Sequence, residues 1–375
     1  MKGARPTQAD IDLDALSSNY QVAQRLAAGR EVIAVVKANA YGHGAVPVAR
    51  RLAAAGCECL AVATVAEAAG LRSAAVSVQI LILGGIHGPA EASDVVELES
   101  TPVVQRREDV GLLSQAARER ELELPVQMEV DTGMRRLGLP NAQALDCAAE
   151  IAAAPGLLLD GVYTHLARAD EADPEPSLAQ LRQFSGFVAG LRAQGISPGQ
   201  VHVANSAALL SGMVRDSLGA EITAVRPGLL LYGAAPSPTL SAAAAESALR
   251  PVMRLSSRLV SLRRVEAGDG VGYGATYRAK SPRTIGTLPI GYADGLPRDA
   301  GGRAFVFHRG RHVPMVGVVS MDFVTVDLGD TPAEIGDEVV IFGPELGVEA
   351  LAEAVGTIPY ELLVRVGERV PRVVT

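Results

Sequence analysis

The stretch Glu31 to Arg50, EVIAVVKANAYGHGAVPVAR, decides the reading of the fold. It is a short β-branched apolar run, then one lysine, then a glycine-rich turn leading into a helical segment. Such a run reads as a strand buried on both faces, as in a parallel sheet. Lys37 then stands at the carboxyl end of that strand, where α/β folds place their chemistry. A lysine at a strand end is commonly a solvated loop residue. Here Val35 and Val36 lead into it, and partial desolvation lowers an amine pKa toward what a Schiff-base lysine needs.

Working outward, composition bounds the rest. At 375 residues, 48% hydrophobic and 20% charged, the chain can bury a large core, and its length suggests two domains. A net charge of -8 without a long basic run argues against nucleic acid or an anionic membrane as partner and for a small molecule. No apolar run approaches the roughly 18 residues of a spanning helix, and the opening MKGARPTQAD lacks a signal-peptide core, so the expected location is cytoplasmic. The three cysteines, Cys57, Cys59 and Cys147, are odd in number and show no CxxC spacing, against a disulfide frame or a thiolate zinc site. Of the six histidines only His308 and His312 are close in sequence, flanking a turn, so no metal is expected.

Upstream, Thr7 to Leu13 reads as a strand, with Asp14 as N-cap of a helix carrying Leu16, Tyr20, Val22 and Leu26. Beyond Lys37, apolar runs recur at 59–62, 80–83, 102–104, 126–130, 161–163, 201–203 and 224–225, each followed by an alanine- and leucine-rich helical segment. With 32–36 they make about eight strands alternating with helices, the pattern of a (β/α)₈ TIM-type barrel. Arg136 follows the fifth strand, His165 the sixth, Asn205 and Ser206 the seventh, and Arg226 ends the eighth, so all fall on the active-site face. The last two loops, HVANSAA and VRPGLLLYG, suit a phosphate, because backbone N–H groups and a hydroxyl converge at that corner of a barrel. A lysine at the first strand with a phosphate cradle at the last two suggests a phosphorylated aldehyde cofactor.

Composition changes at Pro236 to Leu249, PSPTLSAAAAESAL, which reads as a linker. The expected division is a barrel over 12–240 and a mainly β C-terminal domain over 241–375 that includes the N-terminal strand 1–11. Within it Arg309 and Gly310 mark a hairpin, GDEVVIFG a strand, 348–355 and 359–364 helices, and RVPRVV a closing strand. GDGVGYGATYRA sets Tyr273 between glycines. Such a tyrosine is ordinarily a turn residue, and it becomes a candidate acid/base only opposite Lys37.

AVVKANAYGHG resembles the cofactor signature of the pyridoxal-phosphate-dependent alanine racemases. The likeness continues in family order through DTGMRRLG, YTHLARADEAD, HVANSAA, VRPGLLLYG, GYGATY, PIGYADG, SMDFVTVD and IPYELL. The resemblance implies pyridoxal 5'-phosphate joined to Lys37, with Lys37 and Tyr273 exchanging the α-proton on opposite faces and Tyr273 arriving from the partner of a homodimer. It implies that Tyr41, Ser206, Gly228, Leu229 and Tyr360 hold the phosphate, and that His165 lies by the cofactor, bonding Arg226, which contacts the ring nitrogen. It assigns substrate contacts to Arg136, Met321 and Asp322, and the entrance to Tyr292 and Arg298. It also implies that Tyr360 crowds the substrate side chain, favouring alanine, and that D-alanine serves peptidoglycan.

Where many members carry a lysine modified by carbon dioxide, this chain has Glu129, and the expectation is that this carboxylate pairs with Arg136 unmodified. Arg135 replaces a small residue common before the arginine; register favours Arg136 as the inward one. Ser320 stands where some members have cysteine. The readings kept beside alanine racemase are a broader-specificity or serine racemase, a decarboxylase of the same architecture, and a cofactor carrier without catalysis.

Overall fold

The computed structural model describes residues 5–375. Residues 1–4, part of the stretch assigned above to the N-terminal strand and of the opening judged to lack a signal core, lie outside the described residues. Eight parallel strands close on themselves: Glu31–Val35, Cys59–Val62, Gln79–Ile82, Thr101–Val104, Leu124–Asp131, Leu157–Tyr163, Gln200–His202 and Ala224–Val225. The ring closes because the eighth strand pairs with the first, Val225 opposite Val32, while the fourth and fifth join through Val103 and Gln127. Cys59–Val62 and Thr101–Val104 are buried at every position, as expected of strands covered on both faces. The fold is therefore the (β/α)₈ barrel read from the alternation of runs and helices.

The second sheet is mainly antiparallel. Its nine strands run Ser261–Val265, Arg283–Leu288, Val324–Gly329, Arg311–Val316, Phe305–His308, Glu338–Phe342, Met253–Arg258, Gln8–Ile11 and Arg372–Val374. The chain's first strand thus lies between two C-terminal ones, antiparallel to Met253–Arg258 and parallel to Arg372–Val374. The Arg309–Gly310 turn between Phe305–His308 and Arg311–Val316 has both residues at positive φ, 46° and 78°, which matches the twist of a tight hairpin.

Two local expectations are corrected. The first helix is Leu13–Leu26, and its N-cap is Asp12, whose carboxylate accepts from the Ala15 amide; Asp14 lies inside the first turn. Both aspartates precede the apolar face, and the cap is decided by which of them retains extended backbone, here Asp12 at φ -81°, ψ 98°. The second concerns local form alone: the segment read as a linker carries a 3₁₀ turn at Pro238–Leu240 and a helix at Ser241–Glu246, as its run of alanines favours. Among the described residues no helix is long and apolar enough to cross a membrane.

Candidate active site

The carboxyl mouth of the barrel holds a cavity of about 550 Å³ lined by Lys37, Tyr41, Glu129, Arg136, His165, Asn205, Ser206, Arg226, Gly228, Leu229 and Tyr360, among others. The residues that follow the first, fifth, sixth, seventh and eighth strands therefore meet in one place.

Lys37 opens an unusual turn. Ala38, Asn39 and Ala40 have φ/ψ of 53/53°, 53/46° and 54/53°, Tyr41 has φ 52°, and Gly42 ends the turn at φ 82°. Four successive L-residues in left-handed helical conformation cost ~1–2 kcal/mol each, so the surroundings must over-determine them. Glu67 Oε1 accepts from the Ala38 amide at 2.6 Å, Asn39 Oδ1 accepts from Ala45 N at 2.7 Å, and buried His43 donates from Nδ1 to Ala40 O (3.0 Å) and Tyr41 O (2.9 Å). The turn swings Tyr41 inward onto the ring of Tyr232, 4.8 Å between centroids, and Tyr232 donates to Val35 O of the first strand. Burial, and then the charge of Arg136, hold the Lys37 amine below its usual pKa of 10.5.

At one end of the cavity Ser206 Oγ accepts from the amides of Gly228 (2.9 Å) and Leu230 (3.1 Å), while the Leu229 amide has no acceptor among the described residues. A Cβ on Gly228 would lie 2.3 Å from the Tyr41 hydroxyl oxygen, so glycine lets that hydroxyl close on the backbone here. Tyr360 lies near Tyr41, 6.0 Å between ring centroids, and burial raises its phenol to about 12. A hydroxyl cluster beside a free amide, at the edge of the cavity, fits a bound phosphate.

At the other end Arg226 is fully enclosed. It donates from Nη1 to His202 Nδ1 (2.7 Å) and from Nη2 to Thr164 O (2.9 Å), with His165 Nδ1 farther at 3.4 Å, and its guanidinium sits 4.5 Å over the Tyr163 ring. Burial lowers its pKa to about 10, which leaves it charged at neutral pH. Burial, then Arg226 and Arg136, push His165 down to about 3, so this imidazole is neutral. The sequence reading named only His165 as partner of Arg226. His202 is the nearer one, and the signal for it was a histidine inside the apolar run of the seventh strand.

Glu129 is 3% exposed, and its Oε2 accepts from Gln105 Nε2 and from the Tyr163 hydroxyl, both at 2.9 Å. It makes no ion pair with Arg136 among the described residues, contrary to the pairing expected from sequence. Glu129 is tied down by its own and neighbouring strands, whereas Arg136 lies on the exposed loop beyond them. Arg135, at φ 56°, turns back to Asp131 (3.2 Å), and Arg136 lines the cavity.

Tyr273, Tyr292, Met321 and Asp322 do not line this cavity. Tyr273 is 74% exposed, in a separate hollow with Ser320 and Phe323, and Tyr292, Met321 and Phe323 are also exposed. Arg369 pairs with Asp322 (2.7 Å) and joins Arg5 on the buried Asp294 carboxylate, whose Oδ2 caps the Gly291 amide before Tyr292. Arg298 opens a short 3₁₀ turn, Arg298–Ala300, in the same domain.

Comparison with known proteins agrees with this geometry. Residues 11–236 match the family model described as the alanine racemase N-terminal domain, and 252–374 that of the C-terminal domain. The chain is 41% identical over 364 residues to an alanine racemase of Syntrophobacter fumaroxidans, covering 96% of this chain and 94% of that protein. It is 40% identical over 372 residues to that of Desulfovibrio desulfuricans, covering 98% of each. Among solved structures, alanine racemase from the D-cycloserine-producing Streptomyces lavendulae superposes with a TM-score of 0.93 at 36% identity, covering 100% of this chain and 98% of that one. The biosynthetic enzyme from Pseudomonas aeruginosa does so at 0.88 and 39%, covering 99% of each. Barrel, second sheet and cavity together with this full-length similarity establish that the chain belongs to the alanine racemase family.

Proposed function

We propose that this chain interconverts L- and D-alanine with pyridoxal 5'-phosphate, using Lys37 on one face of the substrate and Tyr273 of the partner subunit on the other. The observation that carries the reading is the cradle of Tyr41 hydroxyl, Ser206 Oγ and Leu229 amide, whose close approach depends on Gly228 having no Cβ, in a cavity that also holds Lys37. Tyr41, Ser206, Gly228, Leu229 and Tyr360 would hold the phosphate, Arg226 and His165 would lie by the ring, and Lys37 would supply the amine that joins the cofactor. When bound, the cofactor supplies the electron sink that acidifies the substrate α-C–H.

The chain's own groups do the rest. Lys37, with its pKa lowered by burial, takes and returns the proton on its own face of the substrate. Arg226, a charged N–H donor rather than a carboxylate, would leave the cofactor's ring nitrogen unprotonated and its electron sink a weak one. Arg136 binds the substrate carboxylate, with Met321 and Asp322 of the partner beside it and Tyr292 at the entrance. The exposed patch of Tyr273, Tyr292, Met321 and Phe323 supports a homodimer that shares its active sites. Tyr360, within the cavity, limits the substrate side chain to about a methyl group. The working division is a barrel over 12–240 and a β domain over 241–375 with the N-terminal strand, in a cytoplasmic enzyme that supplies D-alanine for peptidoglycan.

The test is the decay of optical activity of L-alanine and, separately, D-alanine with the loaded protein and with Lys37→Ala. Both enantiomers should reach the same racemic endpoint with the first and remain unchanged with the second. Carbon dioxide release without racemisation overturns the reading in favour of a decarboxylase.

A further inference from the structure

Parallel barrels are filled mainly by branched aliphatic side chains, yet a file of polar groups runs down this one from Arg226 to the opposite mouth. His202 and Gln127 in it are fully buried. Below Arg226, His202 Nε2 lies 2.6 Å from Gln127 Oε1, and Gln127 Nε2 lies 3.1 Å from Gln200 Oε1 and 3.4 Å from Asp160 Oδ2. Gln200 Nε2 in turn lies 2.6 Å from Glu31 Oε2, at the exposed start of the first strand.

The direction of every bond in the file follows from its far end. A carboxylate only accepts, so Gln200 turns its NH₂ to Glu31 and its carbonyl to Gln127. Gln127 then presents its NH₂ to Gln200 and Asp160, and its carbonyl to His202. His202 is left to donate from Nε2, which makes Nδ1 the lone pair that Arg226 meets. The opposite tautomer would set an N–H against the Arg226 N–H, leaving buried donors unpaired.

The strand register makes the file possible. Gln127 pairs with Gly161, and Gly161 with Gln200, so one glycine separates the two amides across three adjoining strands. A Cβ on Gly161 would fall 3.0 Å from the Gln127 amide nitrogen. Without it the two side chains meet over the middle strand.

We infer that Gln127 is a positioning residue for the reaction: oriented from the far mouth by Gln200, Glu31 and Asp160, its amide fixes the tautomer of His202 and so holds Arg226 as a donor toward the cavity. The consequence for turnover rests on the racemase reading, whereas the consequence for the tautomer does not.

The experiment compares loaded wild type with Gln127→Met and Gln127→Glu, reading the ¹⁵N shifts of His202, assigned with a His202→Asn variant, alongside kcat and KM for alanine. Wild type should show a pyrrole-type Nε2 and a pyridine-type Nδ1. Gln127→Met, similar in volume but without the amide, should mix the tautomers and lower kcat about 10- to 100-fold, the range for partners that orient a site group from behind. Gln127→Glu keeps an acceptor toward Nε2 and should retain the pyridine-type Nδ1, with a smaller loss of kcat than Gln127→Met. A file that merely fills space would leave the nitrogen signature unchanged. Retention of the pyridine-type Nδ1 in Gln127→Met, its loss in Gln127→Glu, or a changed signature with kcat unaltered, overturns the inference. Should neither variant fold, the double change Glu31→Gln with Asp160→Asn relaxes the file from its far mouth, and there too an unchanged Nδ1 overturns it. Wild type that shows the expected nitrogen signature but does not racemise alanine refutes the racemase reading and leaves the tautomer assignment standing.

Discussion

Replacing an alanine by glycine in a helical turn normally destabilises a protein; at Ala38 the sign should reverse. Ala38 has φ 53° and ψ 53° and an exposed side chain, and its amide hydrogen bond to Glu67 survives the change. An L-residue in this conformation costs ~1–2 kcal/mol that glycine does not incur. Against that, glycine gives the unfolded chain extra freedom worth roughly 0.5–1 kcal/mol. Ala38→Gly should therefore stabilise the fold by about 0.5–1 kcal/mol. Gly42→Ala, one residue past the turn, should do the opposite. Its φ is 82°, and a Cβ there would lie 2.2 Å from the Leu363 carbonyl oxygen of the Tyr360 helix. Conformational penalty and overpacking together should cost about 2–5 kcal/mol. The assay is the guanidinium unfolding midpoint at fixed protein concentration with the slope m checked for constancy. A lower midpoint for Ala38→Gly, at unchanged m, would refute the claim that this turn is strained.

Four further outcomes are expected. Gly228→Ala places its Cβ against the Tyr41 hydroxyl and should weaken cofactor uptake by about 10- to 100-fold, the equivalent of ~1–3 kcal/mol, as read by titration of the cofactor-free protein; undiminished affinity removes the phosphate assignment. Tyr273→Phe should slow proton removal from one enantiomer more than from the other, measured as solvent deuterium entering each, and equal losses would count against one base per face. Glu129→Gln, which removes a charge that raises the Lys37 pKa, should move the Lys37 titration to lower pH, and an unaltered pH profile argues against that role. Acid stability should fall off early: burial lowers His43 from 6.5 to about 4, so the unfolded chain takes up this proton first. Stability is then intact above pH 6.5 and lost as pH falls toward 4, by about 3 kcal/mol for this residue. His165 and His202, also lowered, act in the same direction. A His43→Gln variant whose pH–stability curve retains the full wild-type slope would contradict this.

Much was legible in the sequence because it is local or periodic. The β-branched run before Lys37, the spacing of the later runs and the Arg309–Gly310 turn each carry their structure in a few adjacent residues. The alternation of runs and helices sufficed for the barrel, since a parallel sheet needs a crossover between successive strands. Placing polar residues after the right strands was enough to gather Lys37, Arg136, His165, Ser206 and Arg226 at one mouth. What failed locally, the N-cap at Asp12 rather than Asp14, lay where two neighbouring residues could do the same work.

The remainder depends on neighbours distant in sequence. No propensity announces that Ala38 to Tyr41 turn left-handed, because the conformation is unfavourable by itself and is held by Glu67, His43 and the helix that carries Tyr360. The pairing of Glu129 with Gln105 and Tyr163, and the nearness of His202 to Arg226, follow from strand register across a closed barrel. That register is set by the pairing of whole strands, which is why charge alone wrongly matched Glu129 with Arg136. The sequence by itself determined which residue types stand at the ends of which strands. Tertiary structure decided which of them touch, because hydrogen bonds act over about 3 Å and only the closed barrel brings separate strands to within that distance.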